Sequence, residues 1–135
     1  ARMNAAYIRV GLSGCDMGSS YFLPRLVGVS VASELLLTGR FIDAARALRV
    51  NLVSEVVPDA ALEAAAAPYV EEMLACTPLG LRLTKDALNF AIDAPSMDAA
   101  MAMEDRQQIL AAQTADHREA LRARGEKRPP VYRDR

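Results

Sequence analysis

The chain has 135 residues, of which 52% are hydrophobic; 16 Lys and Arg against 17 Asp and Glu give a formal net charge of −1. That length fits one domain with a core of its own, so neither a disulfide nor a metal staple is required. Near-neutral charge leaves no electrostatic case for nucleic acid or an anionic membrane surface as a partner. No apolar run approaches the roughly 20 residues of a membrane helix, and no membrane association is expected. The first ten residues carry Arg2, Asn4 and Arg9 and lack the apolar core of a secretory leader. Cys15 and Cys76 stand far apart, without metal-ligand spacing, so the expectation is two reduced thiols, a cytoplasmic protein and no metal.

The chain enters its first element without a cap or turn, as a chain joined in mid-domain would. Residues 5–10 alternate weakly and include Tyr7, Ile8 and Val10, which predicts a short strand. Gly11 to Met17 follows as a loop, in which Gly11, Gly14 and Gly18 free the backbone for tight turns. A helix opens at Gly18 or Ser19 and runs to about Val27, bent by Pro24 and stopped by Gly28. Ser30 caps a second helix with Val31 and Leu35 to Leu37 on its apolar side, and Gly39 ends it. Asp43 is the N-cap of a short helix from Ala44 to Val50. Asn51, the commonest non-glycine visitor to left-handed geometry, turns it into a β-type run from Leu52 to Pro58.

Pro58-Asp59 begins an alanine-rich helix to about Cys76, broken by Thr77-Pro78. Leu79 to Ala91 is helical, with Leu81, Leu88 and Phe90 as burial candidates. After Asp93-Ala94-Pro95, Ser96 and Asp98 begin a long helix to about Ala115. Met101, Met103, Ile109 and Leu110 stand at helical spacings in it, a pattern of core or subunit contact. Asp116 recaps a last basic helix to Arg124, ended by Gly125. The tail from Glu126 to Arg135 is extended, because Pro129 and Pro130 forbid a helix.

Asp16 is the chemically interesting residue. A carboxylate just before a helix is either its cap or a reactive group held in a fixed pose. Tyr7 offers a phenol to substrate or water, or else packs as a strand aromatic. Lys127 and Arg128 belong to a basic tail that suits a phosphate-rich ligand or, equally, forms a solvated face. His117 has no partner at triad or metal spacing, and Cys15 is not read as a nucleophile beside the negative charge of Asp16. The glycine spacing is not that of a dinucleotide fingerprint.

The run from Gly11 to Gly28, then Leu36-Leu37-Thr38-Gly39-Arg40, Ala44, Ala47, Leu52-Val53, Pro58, Thr77-Pro78 and Thr84-Lys85, resembles the C-terminal half of the crotonase (enoyl-CoA hydratase/isomerase) superfamily, in order and spacing over nearly the whole chain. The resemblance implies an α/β crotonase-like parent fold, of which this chain is a mostly α-helical part with one or two short strands. Residues 1–95 would belong to the core, and 96–135 would form a helical tail for oligomerisation and CoA contact. It further implies an enzyme on acyl-CoA thioesters, with coenzyme A as part of the substrate and no separate cofactor, assembled as a trimer or hexamer. Backbone N–H groups stabilise an enolate-like state and carboxylates move protons. In the family the oxyanion hole comes mostly from an N-terminal half, so this chain is not expected to be a complete active site.

The family's hydratases carry a glutamate where this chain has Tyr7. The segment from Asp16-Met17-Gly18 to Leu23-Pro24-Arg25 is similar, without a gap, to a stretch of dienoyl-CoA isomerases whose aspartate is catalytic. The resemblance thus implies Asp16, and in second place Tyr7, as catalytic residues, with Met17 and Phe22 at the acyl group. Lys127 and Arg128 fall in a tail motif whose lysine reaches the CoA phosphates, often from a neighbouring subunit. Isomerase-like chemistry is favoured over plain hydration. A non-catalytic module that binds CoA or assembles with partners, and a hydrolase or decarboxylase, stay open.

Overall fold

The computed structural model describes residues 1–135. The chain divides into two compact units, Ala1–Ala61 and Leu62–Arg135. In the first, strand β1 (Arg2–Met3) pairs antiparallel with β2 (Ile42–Asp43), Met3 opposite Ile42. Residues Ala6–Val10 are a 3-10 helix and not the predicted strand. Weak alternation needs a neighbouring strand to become a ladder, and the only partner here is taken by β1. Gly11, with φ +81°, closes that turn, and Leu12 N–H donates to the Tyr7 carbonyl at 3.1 Å.

Helix α1 spans Ser19–Thr38 but is two helical segments joined at Gly28, whose φ of 79° and ψ of 158° lie far from helical values. The predicted stop at Gly28 is therefore present as a break inside one rod. By length and composition α1 also lies in the range of a membrane-crossing helix, contrary to the reading that no run approaches that length. It carries Arg25, Glu34 and the Gly28 break, and its second segment buries Ala32, Leu35 and Leu36 against the rest of the unit.

Gly39, left-handed as expected, ends α1 through a bond from its N–H to the Leu35 carbonyl at 2.9 Å. Asp43 caps α2 (Ala44–Arg49) by accepting the Arg46 N–H at 2.7 Å. Asn51 adopts φ +60°; its N–H bonds to the Leu48 carbonyl and that of Leu52 to the Ala47 carbonyl, the paired bonds of a left-handed helix end. Beyond it, residues 52–54 are bends and 55–58 have no regular structure where β-type residues predict a strand, again for want of a partner. The core of the unit is Leu35, Ile42 and Ala47, with Leu23, Val31, Val50, Leu52 and Val53 packed around it.

Arg46 ties α2 to α1 through both guanidinium nitrogens, Nη1 and Nη2 bonding Glu34 Oε1 and Oε2 at 2.8 and 2.6 Å. This pairing holds the Glu34 carboxyl at about 2, far below its usual 4.5, with Arg40 adding to it. A carboxylate whose folded value is lowered stabilises the fold above its unfolded value, and that contribution disappears as pH falls towards the folded one. The expected result is a decline in denaturant midpoint between pH 4.5 and pH 2 that is shallower in Glu34→Gln than in the unaltered chain. Equal slopes across a pH series would show that this pair is not coupled to folding.

The second unit begins with α3 (Leu62–Leu74) and continues through α4 (Pro78–Ala91), α5 (Met97–Ala112) and α6 (Ala115–Gly125). Thr77 and Ser96 cap α4 and α5 with their hydroxyls at 3.1 Å. The boundary at 95/96 drawn from sequence lies between α4 and α5, which pack on one another within this unit. The cap of α6 is Thr114, whose hydroxyl accepts the His117 N–H, and not Asp116. Asp116 is buried at 4% exposure, and its two oxygens accept the N–H groups of Arg133 and Asp134, both at 2.8 Å. Arg82 on α4 bonds the Asp134 carboxylate at 2.7 Å, so the end of the extended tail is held from two helices. Leu81, Leu88 and Phe90 are exposed, against the expectation that they are buried, and Met101, Ile109 and Leu110, expected at a core or a subunit contact, are exposed as well. A few packed helices leave one side of each uncovered, and Ala123 is the one buried hydrophobic residue of this unit.

Candidate functional site

The loop from Gly11 to Gly18 is held by its backbone. Gly14 is buried against the second segment of α1, and a Cβ there would lie 2.2 Å from the Leu36 carbonyl oxygen. Only glycine permits so close an approach. Two residues on, Asp16 N–H donates to Ser19 Oγ at 3.1 Å, and Ser19 N–H donates back to the Asp16 carbonyl at 2.9 Å. Met17 and Gly18 then adopt left-handed geometry, with φ of 50° and 81°, before α1 starts. Left-handed backbone is costly for a methionine and marks a position where geometry takes precedence over strain.

The N-cap of α1 is Gly18, with no side-chain bond, so capping is not what Asp16 does. Its Oδ1 accepts the Met17 N–H at 2.8 Å, and Oδ2 has no partner. One oxygen is fixed and the other is free. Asp16 lines a cavity of about 370 Å³ together with Tyr7, Met17, Phe22, Leu23 and Leu26. Tyr7 is half-buried, and its hydroxyl has only the Met17 sulfur, at 3.7 Å, as a partner. Phe22 stacks edge-on to Tyr21 and stays half exposed. The arrangement is an apolar recess with one carboxylate and one weakly engaged phenol, suited to moving a proton on an apolar substrate.

Four of the six residues singled out from sequence, Tyr7, Asp16, Met17 and Phe22, thus meet at one cavity. Sequence reasoning missed Ser19, which fixes the Asp16 backbone, and the close approach at Gly14. A serine three residues after an aspartate is a signal for such a turn; the Gly14 contact spans 22 positions and has no local signal. Lys127 and Arg128 lie in the second unit. Lys127 is exposed and makes no ion pair. Arg128 is fully engaged, Nε to Glu126 at 2.6 Å and its two terminal nitrogens to Glu119. Those bonds, with the Val131 N–H, hold the Glu119 carboxyl at about 2 and raise Arg128 above its ordinary value.

Two further cavities belong to the second unit. The larger, about 560 Å³, runs between α4 and α5 past Thr77, Thr84, Leu88 and Gln107. Its only ionisable lining groups are Cys76 and Glu104, and neither is held in a turn as Asp16 is. The other, about 470 Å³, is walled by Arg118, Arg122, Arg133 and Arg135 with Asp116 and Glu119. Of the three, the cavity at Asp16 is the one that holds a carboxylate fixed by a tight turn.

The whole chain, residues 1–135, matches the family model described as enoyl-CoA hydratase/isomerase. It is 41% identical over 135 residues to a probable enoyl-CoA hydratase of Mycobacterium tuberculosis, covering 99% of this chain and 47% of that protein. It is 37% identical over 111 residues to the (E)-benzylidenesuccinyl-CoA hydratase of Thauera aromatica, covering 82% and 43%. A crystal structure of a probable enoyl-CoA hydratase/isomerase from Mycobacterium abscessus superposes with a TM-score of 0.84 at 38% identity, covering all of this chain and 52% of that one. The chain therefore spans about half the length of these relatives, and the α/β crotonase-like parent fold with a mostly helical part here is borne out. Its match along the full 135 residues makes it a member of the enoyl-CoA hydratase/isomerase family.

Proposed function

We propose that the protein containing this chain acts on acyl-CoA thioesters, transferring protons on an enolate-stabilised acyl group. The observation that carries this reading is Asp16: Oδ1 tethered to the next N–H, Oδ2 unpartnered, at the rim of an apolar recess. The acyl chain lies against Met17 and Phe22. The thioester carbonyl is polarised by N–H donors contributed from outside this chain. Asp16 Oδ2 takes a proton from C2 of a 3-enoyl ester, giving a dienolate, and returns it at C4, which moves the double bond from C3–C4 to C2–C3. With water in the recess and a 2-enoyl ester bound, the same oxygen takes a proton from the water whose oxygen bonds to C3 and delivers that proton to C2 of the enolate, which is hydration. The Tyr7 hydroxyl, released from its weak contact with the Met17 sulfur, orients the thioester or water. Asp16 is the one carboxylate lining the recess, which favours a double-bond shift by a single proton carrier, although the relatives named above are hydratases. Coenzyme A is part of the substrate, with Lys127 at its phosphates.

In the same reading the protein is cytoplasmic and assembles as a trimer or hexamer, with residues 96–135 contributing subunit and CoA contacts. Two exposed, unpaired thiols suit a reducing compartment, and the exposed apolar residues of α5 suit a subunit contact. The test is made with the protein carrying its N-terminal region, offered 2-enoyl-CoA and 3-enoyl-CoA esters. Conversion of either supports the enzyme reading, and the product separates hydration from isomerisation. Binding of the esters without turnover would favour a non-catalytic CoA-binding module, and absence of both would remove the acyl-CoA reading.

A further inference from the structure

Met17 meets the recess through its sulfur. Its backbone is left-handed, at φ +50°, and its N–H is held by Asp16 Oδ1 at 2.8 Å. From that fixed turn the side chain places Sδ 3.7 Å from the Tyr7 hydroxyl. A thioether is a weak acceptor, so the phenol is engaged but not committed. Met17 is also 85% exposed, the highest value among the six methionines. The partner of the recess phenol is therefore the thioether that solvent reaches most readily.

Oxidation changes the chemistry of that contact. A hydroperoxide transfers one oxygen to Sδ. The O–O bond breaks, an S–O bond forms, the sulfur loses two electrons, and the hydroperoxide leaves as an alcohol, or as water from hydrogen peroxide. The new oxygen is a strong acceptor on the atom that already faces the phenol. Placed on that side, in one of the two sulfoxide epimers, it comes within the ~2.7–2.8 Å of an ordinary O–H···O bond. The Tyr7 hydroxyl is then held at the wall, and a polar group stands in a recess whose walls include Phe22, Leu23 and Leu26. Asp16 keeps its tether, because the Met17 N–H is untouched. We infer that Met17 is a redox-modification site: its conversion to the sulfoxide by a hydroperoxide captures the Tyr7 hydroxyl and lowers turnover reversibly, without displacing Asp16. Met3 also lines the recess, but it is less exposed and carries no hydroxyl on its sulfur. Cys15, exposed and next to Asp16, does not line it.

This inference rests on the acyl-CoA reading, and the experiment separates the two. The protein with its N-terminal region is treated with hydrogen peroxide and then with dithiothreitol, which reverses a sulfenic acid or disulfide but not a methionine sulfoxide. Peptide mass mapping follows the added oxygen at Met17. The kcat/KM on enoyl-CoA esters is read as the ratio of treated to untreated protein. That ratio is expected to fall about tenfold, the scale of one hydrogen bond. It should recover with the two methionine sulfoxide reductases, one for each epimer, an arm that needs no variant. In Met17→Leu the ratio should stay near one, whatever the variant's own rate. In Tyr7→Phe it should fall by less than in the unaltered protein, since no hydroxyl remains to be captured. An equal fall in Tyr7→Phe overturns the capture. No added oxygen at Met17, or full oxidation there with an unchanged ratio, overturns the site. A loss repaired by dithiothreitol alone, or an equal fall in Met17→Leu, assigns the effect to a thiol or another methionine and overturns it too. Untreated protein that neither binds nor converts any thioester removes the acyl-CoA reading, and the switch falls with it.

Discussion

Asp16→Asn should abolish most turnover while leaving ligand affinity within about twofold. Asparagine keeps an oxygen for the Met17 N–H, so the turn through Met17 and Gly18 and the start of α1 persist. What is lost is the capacity of the free oxygen to hold a proton. General acid–base groups contribute roughly 10²–10⁴-fold, and a single carrier at the recess makes the full loss the expected one. The measurement is kcat and thioester affinity side by side, in the protein with its N-terminal region. Unchanged turnover would move the proton transfer to another group, with Tyr7 next in line; loss of affinity together with turnover would mean that Asp16 shapes the site and does not act in it.

The second large effect concerns backbone. Gly14→Ala puts a methyl group 2.2 Å from the Leu36 carbonyl oxygen and 3.0 Å from the carbonyl carbon. Both atoms belong to the main chain of α1, which cannot swing aside as a side chain would. Overpacking of this kind costs about 1–3 kcal/mol. The denaturant midpoint should fall accordingly, and turnover should fall with it, since the loop must lift off α1 and carry Asp16 away. Gly11→Ala is the control: it has the left-handed cost of φ +81° but nothing within 4 Å of the added carbon. A midpoint unchanged by Gly14→Ala would show that the loop is not seated on α1.

What could be read from the sequence divides along a physical line. Gly39, Asp43, Asn51, Thr77-Pro78 and Ser96 all act where expected, because each works on backbone groups within a few residues of itself. The strands over 5–10 and 52–58 were not there to be found, since a strand is a property of a pair and neither stretch has a partner. Asp116 had the chemistry of a cap, but Thr114 took that role. The carboxylate instead serves the N–H groups of residues 17 and 18 positions later, a partnership that no local rule encodes. Arg128, in the second unit, is a similar case: its partners Glu119 and Glu126 are not ones its residue type alone points to. Tyr7, Asp16, Met17 and Phe22 line one cavity because the glycine-rich turn that gathers them is itself local.

The same turn has a consequence for how this protein can change over generations. The groups that fix Asp16 are the Gly14 backbone, the Ser19 hydroxyl and the Met17 N–H. The groups that shape the recess are the side chains of Met17, Phe22 and Leu26, at 85%, 52% and 53% exposure, which hold up little else in this chain. Aim and fit are therefore mutationally separable. Under the proposed acyl-CoA reading, side chains at positions 17, 22 and 26 would be free to drift towards longer, shorter or more polar acyl groups while the carboxylate stays where it is, so new substrate preferences would lie one or two substitutions away.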